Sequence, residues 1–155
     1  MRPPPWVRMR SGAVRPPFRN SGRGMHVLLI DDDPFVRRLG AAGLLAAAGV
    51  EVVCAISGAN GVALAQVSRP DVVLLDLNMP GEDGPTTFAR LRATPGLSDV
   101  PVVFFTAETS AEVRDMLVEL GAAGVIAKPF DPVSLAREVR EVLARYRAAG
   151  SGAGA

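Results

Sequence analysis

The sequence predicts an open, doubly wound α/β domain built on a parallel sheet. Five apolar, β-rich runs (His26 to Ile30, Glu51 to Ile56, Val72 to Leu75, Val102 to Phe105 and Val125 to Ala127) alternate with segments of helical period. Each interval holds a strand, a crossover helix and two short loops. Runs such as HVLLI and PVVFF are continuous rather than alternating, as expected of strands covered by helices on both faces. Parallel strands joined by right-handed crossovers place a ligand site at their carboxyl ends.

The elements follow in order. Three acids, Asp31 to Asp33, end the first strand, and Pro34 stands where a proline is tolerated best, at the first position of a helix. The second strand carries Cys54, which reads as a small buried hydrophobe, and His26 in the first strand reads as structural, since a lone histidine gives no metal set. Short helices are expected after Gly58 and Gly84. Val113, Met116, Leu117 and Leu120 form an apolar stripe closed by Gly121, a helix stop. Asp131 and Pro132 predict an N-cap and first helical residue ahead of Leu135, Val139, Val142 and Tyr146, spaced four, three and four.

The chain has 155 residues, 48% apolar and 21% charged, which suits one domain with a sizeable core and excludes fibrous or wholly disordered classes. The longest apolar and glycine stretch, Leu39 to Val50, is too short to span a bilayer, which takes roughly 18 residues. One cysteine excludes a disulfide scaffold and points to a reducing, cytoplasmic setting. The formal charge of +1 hides a division: six arginines and no acid precede Met25, leaving 11 basic against 16 acidic residues in the body. Any basic surface for nucleic acid would therefore be the tail. Residues 1–24, rich in Pro, Arg and Gly, are expected to be a disordered tail, with Met25 an alternative start, and 148–155 a flexible Gly/Ala tail.

Chemistry collects where the strands end. Asp31, Asp32 and Asp33 follow the first, Asp76 the third, Thr106 the fourth and Lys128, the only lysine, the fifth. Two like charges about 4 Å apart repel by about 4 kcal/mol at an effective dielectric near 20, so such carboxylates need a cation, and Mg²⁺ suits an oxygen shell with retained waters. A divalent ion, carboxylates, a lysine and a hydroxyl are the equipment of phosphoryl transfer, with an aspartyl phosphate as product. Taken singly, each residue has an ordinary reading as a cap, a loop acid, a strand-end hydroxyl or a surface charge. Jointly those readings fail, because the one lysine in a chain that otherwise uses arginine falls where a compact point charge is wanted.

The runs LLIDDDPFVRR, VVLLDLNMPGEDG, VVFFTAE and AKPF, over roughly residues 25 to 147, resemble the receiver domain of bacterial two-component response regulators. The separations, 30 residues from Asp76 to Thr106 and 22 from Thr106 to Lys128, agree with that family. The resemblance implies a flavodoxin-like (βα)5 fold of strand order 2-1-3-4-5. It makes Asp76 the phospho-acceptor, Asp32 a direct Mg²⁺ ligand, Asp31 a ligand through water and Asn78 a ligand through its backbone carbonyl. Thr106 would move to the phosphoryl group, with small Ala107 beside it leaving access. Lys128 would bind a phosphoryl oxygen or, before phosphorylation, Asp76, and Pro129 would follow a cis peptide bond. Met79 and Pro80 shape the loop, Gly84 opens the next helix, and Asp33 caps the first. Asn78 and Glu108 would tune self-dephosphorylation toward a short-lived phosphoryl group.

Two departures stand out. Val125 replaces the aromatic residue usual three positions before the lysine, so the response is expected through Phe104, Phe105 or loop rearrangement, and Pro85 replaces an apolar side chain. The resemblance further implies a phosphohistidine donor on a sensor histidine kinase or phosphotransfer protein, and a downstream effector protein met through the helix from about Ala111 to Leu120, the last strand and the final helix. It also allows a homodimer through those faces. No output domain is expected after the fifth helix, and the chain is expected to act as a switch rather than an enzyme. A receiver-like module that binds without phosphorylation is the first alternative. A Mg²⁺-dependent phosphatase is disfavoured, because Asp76-Leu77-Asn78 lacks the second acid that one would use.

Overall fold

A computed structural model describes residues 24–153. Strands β1 (Met25–Ile30), β2 (Val50–Ala55), β3 (Val72–Asp76), β4 (Val102–Thr106) and β5 (Gly124–Ala127) pair in parallel in the order β2-β1-β3-β4-β5. Helices α1 (Pro34–Leu45), α2 (Gly58–Val67), α3 (Gly84–Ala93), α4 (Ala111–Leu120) and α5 (Leu135–Ala153) connect and follow them. The architecture is the flavodoxin-like one, and every expected strand lies within a residue of its predicted ends.

Because successive strand side chains point to opposite faces, the continuous apolar runs feed two cores at once. Leu28, Ile30, Val73, Leu75 and Phe104 pack with Leu64 of α2, Phe88 and Leu91 of α3 and Leu117 of α4. Val27, Leu29, Leu74, Val103 and Phe105 pack with Leu44 of α1 and with Leu135, Val139 and Leu143 of α5. Burying one such Leu or Phe fully contributes about 1.5–3 kcal/mol, so the sheet is clamped from both sides and its carboxyl edge is a rigid base.

Local signals set the helix starts. Side chains of Asp33, Ser57, Asp83 and Ser110 each accept a hydrogen bond from a first-turn N–H of α1, α2, α3 and α4. Asp33 is thus the cap expected of it.

Two expectations change, both in the last helix, while α4 ends at Gly121 as expected. The proposed start of the last helix at Asp131-Pro132 is instead a turn: Asp131 accepts the N–H of Val133 on its side chain and that of Ser134 on its carbonyl, and α5 begins at Leu135. The turn packs the Pro132 carbonyl against Gly43 of α1. At the far end, α5 runs on through Ala153 where a flexible tail was expected from Ala148. Alanine has the best helix propensity, and Ala148 and Ala149 extend an established helix at little cost. In α4, Leu117 is buried and Val113 half-buried, whereas Met116 and Leu120 are exposed. The expected basic tail lies outside the described residues apart from Gly24.

Candidate functional site

Parallel strands all end at one edge, so residues far apart in sequence meet there. The register sets Asp76 beside Phe105 and Thr106 beside Ala127, and Asp31 follows β1 directly.

Asp31 is fully buried and held on every side. Its Oδ1 accepts the N–H of Asp33 at 2.9 Å and its Oδ2 accepts from Lys128 Nζ at 2.6 Å. Its backbone carbonyl accepts from Arg37 Nη1 at 2.8 Å, and its N–H donates to Ala55 at 3.1 Å. Asp32, one residue on, is exposed and makes no hydrogen bond or ion pair among the described residues. Asp76 is buried, with Oδ1 3.2 Å from Lys128 Nζ and 3.4 Å from the N–H of Asn78. One carboxylate oxygen from each of Asp31, Asp32 and Asp76 lies within 4.8 Å of the others.

The start of α3 can pack against the end of β3 only because position 84 is glycine. A Cβ there would stand 2.7 Å from the Asp76 carbonyl oxygen and 2.9 Å from the Phe104 ring. The N–H of Gly84 closes the loop by donating to Leu77 at 2.8 Å, and Met79 is buried beneath it.

On the other flank Thr106 is buried, and its Oγ1 accepts the N–H of Glu108 at 3.0 Å. The Glu108 carboxylate in turn accepts from Asn78 Nδ2 at 3.1 Å, bridging the loops after β3 and β4. Ala107 is exposed and borders an apolar hollow of about 260 Å³ with Phe35, Leu39, Pro129 and Phe130. The Lys128–Pro129 peptide is cis. Val125 is half-buried on β5 against the core beneath α4. Phe104 and Phe105 are both wholly buried, in opposite cores, so a response through them would shift packed rings and not a surface one. His26 lies 3.7 Å from Glu51 and 3.9 Å from Asp71 at the opposite end of the sheet. Burial pushes the Cys54 thiol pKa up, outweighing the nearby Arg37.

Lys128 and Asp76 perturb each other. Burial alone would lower the Lys128 pKa, but its bonds to Asp31 and Asp76 and their charges outweigh that and hold it above the usual value. Asp76 is pushed the other way. Burial first, then the Asp31 charge, raise its pKa against the opposing pull of Lys128 and the Asn78 N–H. An acid whose pKa is higher folded than unfolded favours the fold when protonated, and that contribution is lost as pH rises through the folded value. At neutral pH the ionised Asp76 therefore works against stability. Asp76→Asn is expected to raise the thermal midpoint by roughly 2–6 °C, the shift that about 1 kcal/mol gives in a domain of this size, with the gain shrinking toward acid pH. A midpoint equal to or below the wild type at pH 7 would contradict this.

Two features were not anticipated from the sequence. Lys128 bonds Asp31 more closely than Asp76, the partner implied for it, and Arg37 fixes the peptide between Asp31 and Asp32. No local signal marks either, because both depend on how α1 and the last loop sit over the sheet edge.

The family model for the response regulator receiver domain matches residues 27–140. The chain belongs to the response regulator receiver family. This receiver is 38% identical over 122 residues to the DNA-binding dual master transcriptional regulator RpaA of Synechocystis sp., covering 79% of this chain and 47% of that protein. It is 37% identical over 120 residues to Protein Rrf1 of Nitratidesulfovibrio vulgaris, covering 77% of this chain and 83% of that protein. The solved chemotaxis protein CheY4 of Vibrio cholerae superposes with a TM-score of 0.71 at 33% identity, over 77% of this chain and 98% of its own. The chain spans about half the length of several curated relatives it matches, RpaA among them.

Proposed function

We propose that this receiver accepts a phosphoryl group on Asp76 from a phosphohistidine donor, with Mg²⁺, and thereby switches its contacts with a partner protein. One observation carries this most of the way: the only lysine stands between two buried aspartates at the carboxyl edge, 2.6 Å from one and 3.2 Å from the other, with the Thr106 hydroxyl on the adjacent strand.

The donor set fits a small hard cation. Three carboxylates converge within 4.8 Å, one of them exposed and unpartnered, and burial first and then the charge of Asp31 raise the pKa of Asp76. Asp31, Asp32 and Asp76 with the backbone carbonyl of Asn78 would hold Mg²⁺, which when bound neutralises charge on the phosphoryl oxygens.

The rest falls to the chain's own groups. A carboxylate oxygen of Asp76 attacks phosphorus as the P–N bond of the donor breaks, and the electron pair stays on the imidazole nitrogen, which takes up a proton. Lys128, already charged at this edge, needs only a small swing from Asp31 to meet a phosphoryl oxygen. Thr106 would exchange the Glu108 N–H for the phosphoryl group, loosening the loop that leads into α4. The altered surface is then α4, β5 and α5, where an effector protein or a second copy would dock. The cytoplasm, where phosphohistidine donors draw on ATP, is the compartment this chemistry requires.

Amide chemical shifts recorded before and after addition of a P–N donor such as phosphoramidate test the switch. Changes are expected at Thr106 and Lys128 and on α4 and β5; changes confined to the residues touching the phosphoryl group would contradict a switch. The polar pair Asn78 and Glu108 at the mouth can orient an attacking water, and Ala107 leaves it room. The phosphoryl group is accordingly expected to be lost within minutes with Mg²⁺ present, and a lifetime of many hours would contradict that.

A further inference from the structure

The loop from Leu77 to Asp83 carries everything the acceptor strand contributes after Asp76 itself, and it is anchored from a side that the phosphoryl site does not touch. Glu82 lies in this loop. Both of its carboxylate oxygens stand 3.0 Å from Arg90 Nη1 of α3, and its side chain is only 21% exposed. Its Oε2 also abuts Gly58, the first residue of α2, where a Cβ would come within 2.8 Å of it. The same missing Cβ would collide with the hydroxyl of Thr87, which is wholly buried and without a hydrogen-bond partner. A carboxylate, an unpartnered buried hydroxyl and the start of a helix thus converge on one glycine. The negative charge of Glu82 sits at the positive end of α2, and its bond to Arg90 fastens the loop to α3 as well.

We infer that Glu82 is a positioning residue for the metal and phosphoryl site. By tying the 77–83 loop to α2 and α3 it holds the Asn78 carbonyl in place for Mg²⁺ and keeps the Asn78 side chain against Glu108, while Gly58 provides the space. The inference rests on the proposed phosphorylation of Asp76. Cutting this tie loosens one side of a loop that the Gly84 N–H, buried Met79 and the Asn78–Glu108 bond still hold, so the cost would appear in metal binding before it appeared in global stability.

The experiment is a Mg²⁺ titration of the full chain, followed by the rate of Asp76 labelling with acetyl phosphate, on wild type, Glu82→Gln, Glu82→Ala and Arg69→Ala. Arg69→Ala removes a surface ion pair elsewhere, Arg69 to Asp99, whose arginine is as exposed as Arg90 and whose carboxylate is far more exposed than that of Glu82. Glu82→Ala is expected to raise the half-saturating Mg²⁺ concentration about five-fold, near the ceiling for a half-exposed ion pair, with the labelling rate at saturating Mg²⁺ preserved. Glu82→Gln should fall between it and the wild type, and Arg69→Ala should match the wild type. An unchanged half-saturation in both Glu82 variants, or an equal shift in Arg69→Ala, would overturn the positioning role. If Glu82→Ala fails to fold, Glu82→Gln, which keeps the size of the side chain, decides alone. Failure of the wild type itself to label would overturn the phospho-acceptor assignment and the positioning role with it.

Discussion

Lys128→Ala is expected to destabilise the domain by about 3 kcal/mol at neutral pH, and saturating Mg²⁺ is expected to restore most of that loss. Lys128 is the cation that Asp31 and Asp76 share, and Asp31 has no exposure to water through which to recover solvation. Removing one partner of a buried ion pair typically costs 3–5 kcal/mol, because the other charge is left uncompensated. The lower end applies here, since the lysine side chain is 18% exposed. Two carboxylates without their ammonium repel, so the deficit should shrink as pH falls and Asp76, whose pKa is already raised, takes up a proton. Asp31→Asn in the same background should recover stability for the same reason. Urea unfolding with and without Mg²⁺ measures all of this, and a variant whose midpoint is unchanged by Mg²⁺ would contradict it.

Asp32→Asn should abolish the stabilisation that Mg²⁺ gives the wild type. A ligand that binds only the folded state at one hundred times its dissociation constant adds about 2.7 kcal/mol. Of the three clustered aspartates, Asp32 alone has no internal partner among the described residues and faces solvent, so it is free to meet the ion first. For the same reason its loss should leave metal-free stability within about 0.5 kcal/mol of the wild type. Thermal unfolding across a Mg²⁺ series tests both halves. An equal Mg²⁺ shift in wild type and variant would mean that the ion is held elsewhere.

Much of this site is legible in the sequence because each component ends a strand, and strand ends are marked by where continuous apolar runs stop. Asp31, Asp76, Thr106 and Lys128 could be placed on one edge from topology alone, without knowing a single distance. The Asp33 cap was equally readable, since it depends on a neighbour two residues away. What escaped depends on tertiary contact. Asp131 and Pro132 look like a helix start, but Asp131 spends its side chain on a turn that seats against Gly43. Met116 and Leu120 share a helical stripe with Leu117 yet face outward, because periodicity marks a face and not whether anything covers it. The preference of Lys128 for Asp31, the grip of Arg37 and the meeting of Glu82 with Gly58 and Thr87 join residues from different elements and leave no local pattern.

Intact-mass analysis after incubation with acetyl phosphate, with and without Mg²⁺, on the wild type and Asp76→Asn, tests phosphorylation most directly. A Mg²⁺-dependent gain of one phosphoryl group in the wild type, absent from the variant, is the expected result. No gain under conditions that label an active receiver, or an equal gain in Asp76→Asn, would contradict the assignment of Asp76 as acceptor. Absence of any gain would instead favour a receiver-like module that binds its partner unmodified.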